Sequence, residues 1–315
     1  MRNESSPLVS VCIPSFNAEG VIRQCLDAVL AQDLSNAEVV LVDNHSTDQT
    51  VAVAADMLTA MPNARIVENE RNIGRVANWN RCFELARGKY VKFAFTNDAM
   101  LPGGLQELLR VVEADDEIVV AGSRALAVKD IPEPLPPVRP GAASAKRTSA
   151  DALEYFATDG FEAAGSLNGM IYRRSVVVEG ELWFREDMPY FADFVQALEM
   201  AAVGPVALLD AETFCFNHGA VGRYHYAGQE NPKSYLSEYR RRTDRHMELL
   251  RRNDRDSGLA LRALIGRYYW YLSQGWSISP ADAFHVFQGQ PRTQWGVAAR
   301  TTWFRVKQRL GSSGR

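Results

Sequence analysis

The chain has 315 residues, is 46% hydrophobic and 23% charged, and carries a formal net charge of -3. That balance suits one large globular domain or two modest ones, with a core that needs no disulfide or structural metal. The near-neutral charge excludes the global basic field of a nucleic-acid binder, and no run approaches the ~18–20 apolar residues that span a bilayer.

The first half alternates short apolar runs with helical patterns. A strand is predicted over Leu8–Pro14 and a helix over Val21–Leu30, where Ile22, Leu26, Val29 and Leu30 recur at helical spacing. A second strand, Glu38–Val42, ends at Asp43. Thr47–Leu58 reads as a helix, with Ser46, Thr47 and Asp48 as candidate caps. Arg65–Val67 is a short third strand, Asn78–Leu85 a helix stopped by Gly88, and Tyr90–Phe95 a strand running into the polar turn Thr96-Asn97-Asp98. Pro102 suits the first turn of a helix reaching Val112, and Ile118–Ala121 is another strand. Continuous apolar strands separated by helices indicate parallel βαβ units, which bind ligands at the carboxyl ends of their strands. Pro14–Asn17, Asp43–Asp48 and Thr96–Asp98 are therefore expected along one sheet edge.

The proline-rich stretch Ile131–Pro140 reads as a loop, after which the pattern is less regular. Ser149–Phe156 is a short helix, Asn168–Arg173 a strand, Phe191–Ala202 a helix and Val206–Leu209 a strand; from Ser234 the chain is mostly helical and rich in arginine and aromatics. The only charged residues between Pro291 and Arg315 are basic. Cysteines 12, 25, 82 and 215 show no metal-ligand spacing and fall in apolar segments, so they read as core residues of a reducing compartment. The opening MRNESSPLVS has no apolar signal core, and a cytoplasmic protein, peripheral to a membrane at most, is expected.

Several strand-end residues carry candidate chemistry. Pro14-Ser15-Phe16-Asn17 makes a turn, or a loop packed against a base or ribose. Asp43 caps the next helix, or accepts bonds from a base N–H or a ribose hydroxyl. Asp98, taken alone, is an N-cap candidate ahead of Pro102.

These segments, in this order, resemble the GT-A glycosyltransferases of family 2. The resemblance rests on Pro14–Asn17, on Asp43–Thr50 (Asp-Asn-His-Ser-Thr-Asp-Gln-Thr), on Asn69–Gly74 with Ala77–Asn80 and Ala86–Tyr90, and on Thr96–Pro102. It is dense over residues 8 to 125, looser to about 225 and absent beyond. It implies an α/β, GT-A (Rossmann-like) mostly parallel sheet flanked by helices, with a helical C-terminal extension. The implied division is a donor-binding half at 1-125, an acceptor-binding and catalytic half at 126-230, and the extension at 231-315.

The implied activity is inverting transfer of a sugar from a nucleoside-diphosphate sugar to an acceptor hydroxyl. Pro14, Ser15, Phe16, Asn17, Asp43, Asn72, Arg75, Asn80, Asn97 and Asp98 would bind the donor. Asp98, with His218 as a second candidate, would hold a divalent metal, Mg²⁺ or Mn²⁺, against the diphosphate. Asn97 stands where most relatives have aspartate, and its neutral carbonyl binds a cation more weakly. Asp193, in Tyr190-Phe191-Ala192-Asp193, would be the general base, although relatives usually have Glu-Asp where this chain has Ala192-Asp193. Gly165, Ser166 and Asn168 fall where relatives shape the acceptor pocket.

Saccharide, lipid-linked and small-molecule acceptors all stay open, and no nucleic-acid partner is expected. The basic, aromatic C-terminal helices leave peripheral membrane contact and a homo-oligomer as alternatives. Two other readings compete: a nucleotidyltransferase, which lacks its glycine-rich basic loop here, and a non-catalytic nucleotide-sugar-binding relative, which Asn97 and Ala192 would suit.

Overall fold

The computed structural model describes residues 6–158, 167–217 and 232–257. Within them the chain runs β1 (Val9–Ser15), α1 (Ile22–Leu30), β2 (Ala37–Asp43), α2 (Thr50–Leu58), β3 (Ala64–Glu68), α3 (Arg75–Leu85) and β4 (Tyr90–Phe93). There follow β5 (Ala99–Met100), α4 (Gly104–Glu113), β6 (Val120–Val128), β7 (Ser144–Arg147) and α5 (Ser149–Thr158). A single 3-10 turn (Leu167–Gly169) then leads into β8 (Ile171–Arg173), α6 (Arg174–Glu179), α7 (Ala192–Val203), β9 (Val206–Asn217) and α8 (Pro232–Arg252).

One sheet has the order β3-β2-β1-β4-β8-β6-β9-β5, with β7 added against β9. The β3-β2-β1-β4 half is parallel, as the sequence pattern predicts. Beyond β4 the sheet is mixed: β8 runs antiparallel to β4 and β6, while β6 and β9 are parallel. This is the expected α/β architecture, with α8 as the described part of the helical extension.

The apolar runs of β1 and β2 are continuous because both sheet faces are covered. Val9, Val11, Ile13, Val39 and Leu41 pack on one face with α1, α2 and α4. Cys12, Val40 and Val42 point to the other, against α3, α5, α7 and α8. This is the period-two alternation of a strand, buried twice. The second face is rich in aromatics: Phe83 packs against Phe93 and Tyr172 with ring centroids 5.3 and 5.5 Å apart, edge to face. No helix among the described residues is long and apolar enough to cross a membrane.

The chain reverses its direction of travel across the sheet at β1, since β2 lies on one side of it and β4 on the other. In open α/β sheets the crevice at such a switch point, at the carboxyl ends of the strands, is where ligands bind. Three loops meet that edge, after β1, β2 and β4.

Candidate active site

The first two loops are zipped together. Ser15 and Asp43 end β1 and β2 in register. Asp43 is fully buried; its Oδ1 accepts from Ser15 Oγ at 3.0 Å and Ser46 Oγ at 2.6 Å, and its Oδ2 from the Ser46 N–H at 2.7 Å. The acid thus closes its own loop, and both oxygens are turned inward. Asn17, at a positive φ of 46°, accepts the Thr47 N–H on Oδ1 at 2.8 Å and donates its own N–H to Ser46 Oγ at 2.9 Å. Pro14 is buried beside Val42, where its ring fills the core. Phe16, between these anchors, stays 47% exposed and offers an apolar face on the rim.

An asparagine network fixes the loop after β3. Asn44 Oδ1 accepts the Ile73 N–H at 2.9 Å and Asn69 Nδ2 at 3.1 Å, while Asn44 Nδ2 donates to Asn72 Oδ1 at 2.9 Å. Asn72 Oδ1 also accepts the N–H of Gly74, whose φ of 90° suits glycine and turns the chain into α3. Arg75 opens that helix. Its guanidinium lies 5.1 Å from the Trp79 ring centroid and donates to the Pro189 carbonyl. Asn80 is buried and clasps a distant segment: Nδ2 donates to Phe184 O at 3.0 Å, and Oδ1 accepts the Phe184 N–H at 2.8 Å.

The third loop carries Asn97 and Asp98. Asn97 is half-buried and Asp98 is 8% exposed. Asp98 Oδ1 accepts the Asn217 N–H at 3.1 Å, and Oδ2 accepts from Asn168 Nδ2. Asn168 is itself buried and accepts the Phe95 N–H on Oδ1 at 2.8 Å. Its carboxamide therefore holds the 95–98 turn in place. The adjoining Gly169 lets the turn approach β6: a Cβ there would stand 2.7 Å from the Ser123 carbonyl.

Asp193 occupies the first turn of α7, where an acid suits the helix dipole. Burial raises its carboxyl above the usual range, opposed by the Phe194 N–H and by the charges of Arg75 and Arg242. Its Oδ1 accepts the Phe194 N–H at 2.8 Å. The Tyr172 hydroxyl is pushed up by burial and then by the Asp193 charge, which puts β8 beside the acid. Arg242, from α8, lies 3.7 Å over the Phe194 ring and braces α7 from outside.

The structure thus joins Ser15, Asn17 and Asp43 in one bonded unit, with Asn72 attached through Asn44. It joins Asp98 to Asn168, and it brings the charge of Arg75 to bear on Asp193. Asn80 belongs to a clasp between α3 and residues 184–186. His218, Gly165 and Ser166 lie outside the described residues. Asn44 and Lys92 take roles that the sequence alone does not assign, because their partners lie 25 or more residues away, and Ser46, a candidate cap by sequence, instead ties Asp43 to Asn17. A lysine at the centre of an otherwise apolar strand was the one signal available.

For a divalent cation the donor chemistry fits in part. No group of three or more histidine, cysteine or acidic side chains placed to hold a metal occurs among the described residues. Asp98 supplies a single carboxylate, the hard oxygen donor that belongs in a divalent-cation ligand set, on the turn that follows β4. One protein carboxylate with phosphate and water oxygens would make up such a set.

The geometry agrees with what the chain is similar to. It is 42% identical over 111 residues to the Uncharacterized protein MT1568 of Mycobacterium tuberculosis (strain CDC 1551 / Oshkosh), covering 35% of this chain and 34% of that one. It is 31% identical over 125 residues to the Uncharacterized glycosyltransferase YibD of Escherichia coli K12, covering 40% and 36%. The match therefore spans about a third of the length of these curated relatives. Among solved structures, Staphylococcus aureus TarS 1-349 in complex with UDP-GlcNAc aligns with a TM-score of 0.61 at 18% identity, over 92% of this chain and 79% of that one. The mannosyltransferase PcManGT from Pyrobaculum calidifontis, in complex with GDP-Man and Mn²⁺, aligns at 0.56 and 17%, over 96% and 81%. At that identity the likeness establishes the fold. The sequence model of Glycosyl transferase family 2 matches residues 10–177, more than half of the chain, and takes in the three strand-end loops together with Asn168. With that match laid over this sheet and these loops, the chain belongs to glycosyl transferase family 2.

Proposed function

We propose that the protein transfers a glycosyl unit from a nucleoside-diphosphate sugar to an acceptor hydroxyl, with inversion at the anomeric carbon. The observation that carries this reading is the meeting of the bonded Ser15–Asp43 and Asn44–Asn72 loops with the Asp98 turn at one switch-point edge of a family-2 fold. In the proposal the nucleoside lies over the first two loops, with Phe16 against it and Asn17 and Asn72 at its rim. The diphosphate points toward Asn97 and Asp98. Asp98 would hold Mg²⁺ or Mn²⁺, which when bound supplies positive charge to the departing diphosphate. Asn97 contributes a neutral oxygen in place of a second carboxylate.

Asp193 is the proposed base. Its Oδ1 is tied to the Phe194 N–H, so Oδ2 takes the proton from the acceptor hydroxyl. A partly buried carboxylate pushed above its usual range is a stronger base than a fully exposed one. The charge of Arg75 opposes that rise. Residues 1-125 and 126-230 would supply donor and acceptor surfaces of one domain, with 231-315 bracing the base through α8.

The test is donor turnover by the purified chain. UDP- and GDP-sugars are supplied with Mg²⁺ or Mn²⁺, and release of nucleoside diphosphate and binding by calorimetry are recorded. Release from at least one donor is expected; absence of both release and binding across the panel would refute the proposal.

A further inference from the structure

Lys92 is 1% exposed, at the centre of the sheet, on a strand flanked by β1 and β8. No ion pair accompanies it among the described residues. A buried ammonium is expensive unless its donors are used. Its ammonium turns to backbone instead: Lys92 Nζ donates to Phe93 O at 2.8 Å and to Asn168 O.

The location of those carbonyls is informative. The β4–β8 ladder ends at the pair Lys92↔Ile171. Past that point the two strands separate, and the side chain of Lys92 ties Phe93 O on one side to Asn168 O on the other. Asn168 then passes the restraint forward, accepting the Phe95 N–H and donating to Asp98 Oδ2. Lys92 therefore stands two hydrogen bonds behind the Asp98 carboxylate.

We propose that Lys92 is a positioning residue for the donor site: it fixes the backbone of Asn168 and thereby sets where the 95–98 turn presents Asp98. The inference rests on the donor reading above. Burial pushes the Lys92 ammonium down to about 7, and the charge of Asp98 pulls it back up, so the two groups sense each other across Asn168. A role in packing alone would be served better by an apolar side chain of the same length. Methionine fills the space of the lysine stem without carrying a desolvated charge.

That contrast supplies the test. Lys92→Met and Lys92→Gln are compared with the wild type for urea stability and for kcat and KM of nucleotide-sugar turnover. Glutamine keeps a neutral donor for one of the two carbonyls. We expect Lys92→Met to remain folded yet be about 10- to 100-fold lower in kcat/KM, an effect of the size seen for misplaced catalytic geometry. Lys92→Gln should fall between. Unchanged kcat and KM in a folded Lys92→Met would overturn the proposal, as would an activity loss no greater than its loss of folded protein. If neither variant folds, a wild-type crystal structure with bound nucleoside diphosphate decides: Lys92 Nζ bonded to Asn168 O with Asp98 facing the diphosphate supports it, and Asp98 turned away from the diphosphate refutes it. A wild type that turns over and binds no donor sinks the glycosyltransferase reading instead, and that control separates the two failures.

Discussion

Replacing Asn168 should damage the protein in a way that depends on what replaces it. Asn168→Ala removes two buried bonds, one to the Phe95 N–H at 2.8 Å and one to Asp98 Oδ2. Leaving a neutral buried donor unpaired costs about 1–3 kcal/mol and losing a bond to a charged group about 1.5–3 kcal/mol, so a loss of about 2.5–6 kcal/mol is expected. With a urea m-value of about 3 kcal/mol/M the unfolding midpoint should drop by about 0.8–2 M at unchanged slope. Asn168→Asp keeps the oxygen that serves Phe95 but turns a second carboxylate toward Asp98. Two such charges about 3 Å apart repel by up to about 5 kcal/mol at an effective dielectric of 20, so the pair shares a proton and its folded-state affinity for that proton rises. The penalty is then absent at low pH and grows as pH rises through the raised value. Urea titrations at pH 5 and 8 are the assay. Asn168→Asp should regain stability relative to Asn168→Ala on acidification. A midpoint shift under about 0.2 M for alanine, or no acid recovery for aspartate, would refute the bonding scheme around Asp98.

Asp193→Asn should lower kcat by about 10²–10⁴-fold, and because burial raises the Asp193 carboxyl, wild-type kcat/KM should fall on acidification through a value above the usual aspartate range; a pH–rate profile of both proteins reads this out. His246 is 2% exposed, is bonded to Leu153 O at 2.8 Å and is pushed down to about 4 by burial. The unfolded chain therefore binds the extra proton first, and stability present above about pH 6.5 is lost as pH falls through 4, by about 3 kcal/mol in all. His246→Gln should flatten that part of the stability curve. Gly104→Ala should destabilise by about 1–3 kcal/mol, since its Cβ would meet the Thr213 carbonyl at 2.5 Å, whereas Gly20→Ala, facing open space, should leave the melting temperature unchanged.

The donor half was legible because both faces of its strands are buried. β1 and β2 read as unbroken apolar runs, and proline, asparagine and aspartate mark their ends. Errors at element ends have particular causes. The fourth strand stops at Phe93 rather than Phe95, since the Phe95 N–H is claimed by Asn168. Helix α3 starts at Arg75 rather than Asn78, because Gly74 and the Asn72 carboxamide turn the chain earlier. β9 extends to Asn217 although only Val206–Leu209 is uniformly apolar; beyond that, exposed Asp210 and Glu212 alternate with buried Ala211 and Thr213. β7 is largely exposed and polar, so nothing in its composition distinguishes it from a loop. At the site, strand-end position was readable, but bonding partners were not. Asp43 and Asp98 look alike in sequence, and only the fold commits one to two serines and the other to Asn168 and Asn217.

The four cysteines share a property with a practical consequence. Cys12, Cys25, Cys82 and Cys215 are all free and at most 2% exposed, and Cys25 is pushed up to about 12 by burial and the nearby Asp98. Alkylating reagents attack the thiolate, so burial denies them access at all four sulfurs and, at Cys25, Cys82 and Cys215, ionisation as well. Two of these sulfurs lie in β1 and β9 and two in helices packed on opposite faces of the sheet. Maleimide capture followed by peptide mass mapping would thus time the breathing of each layer separately, with no label engineered into the chain.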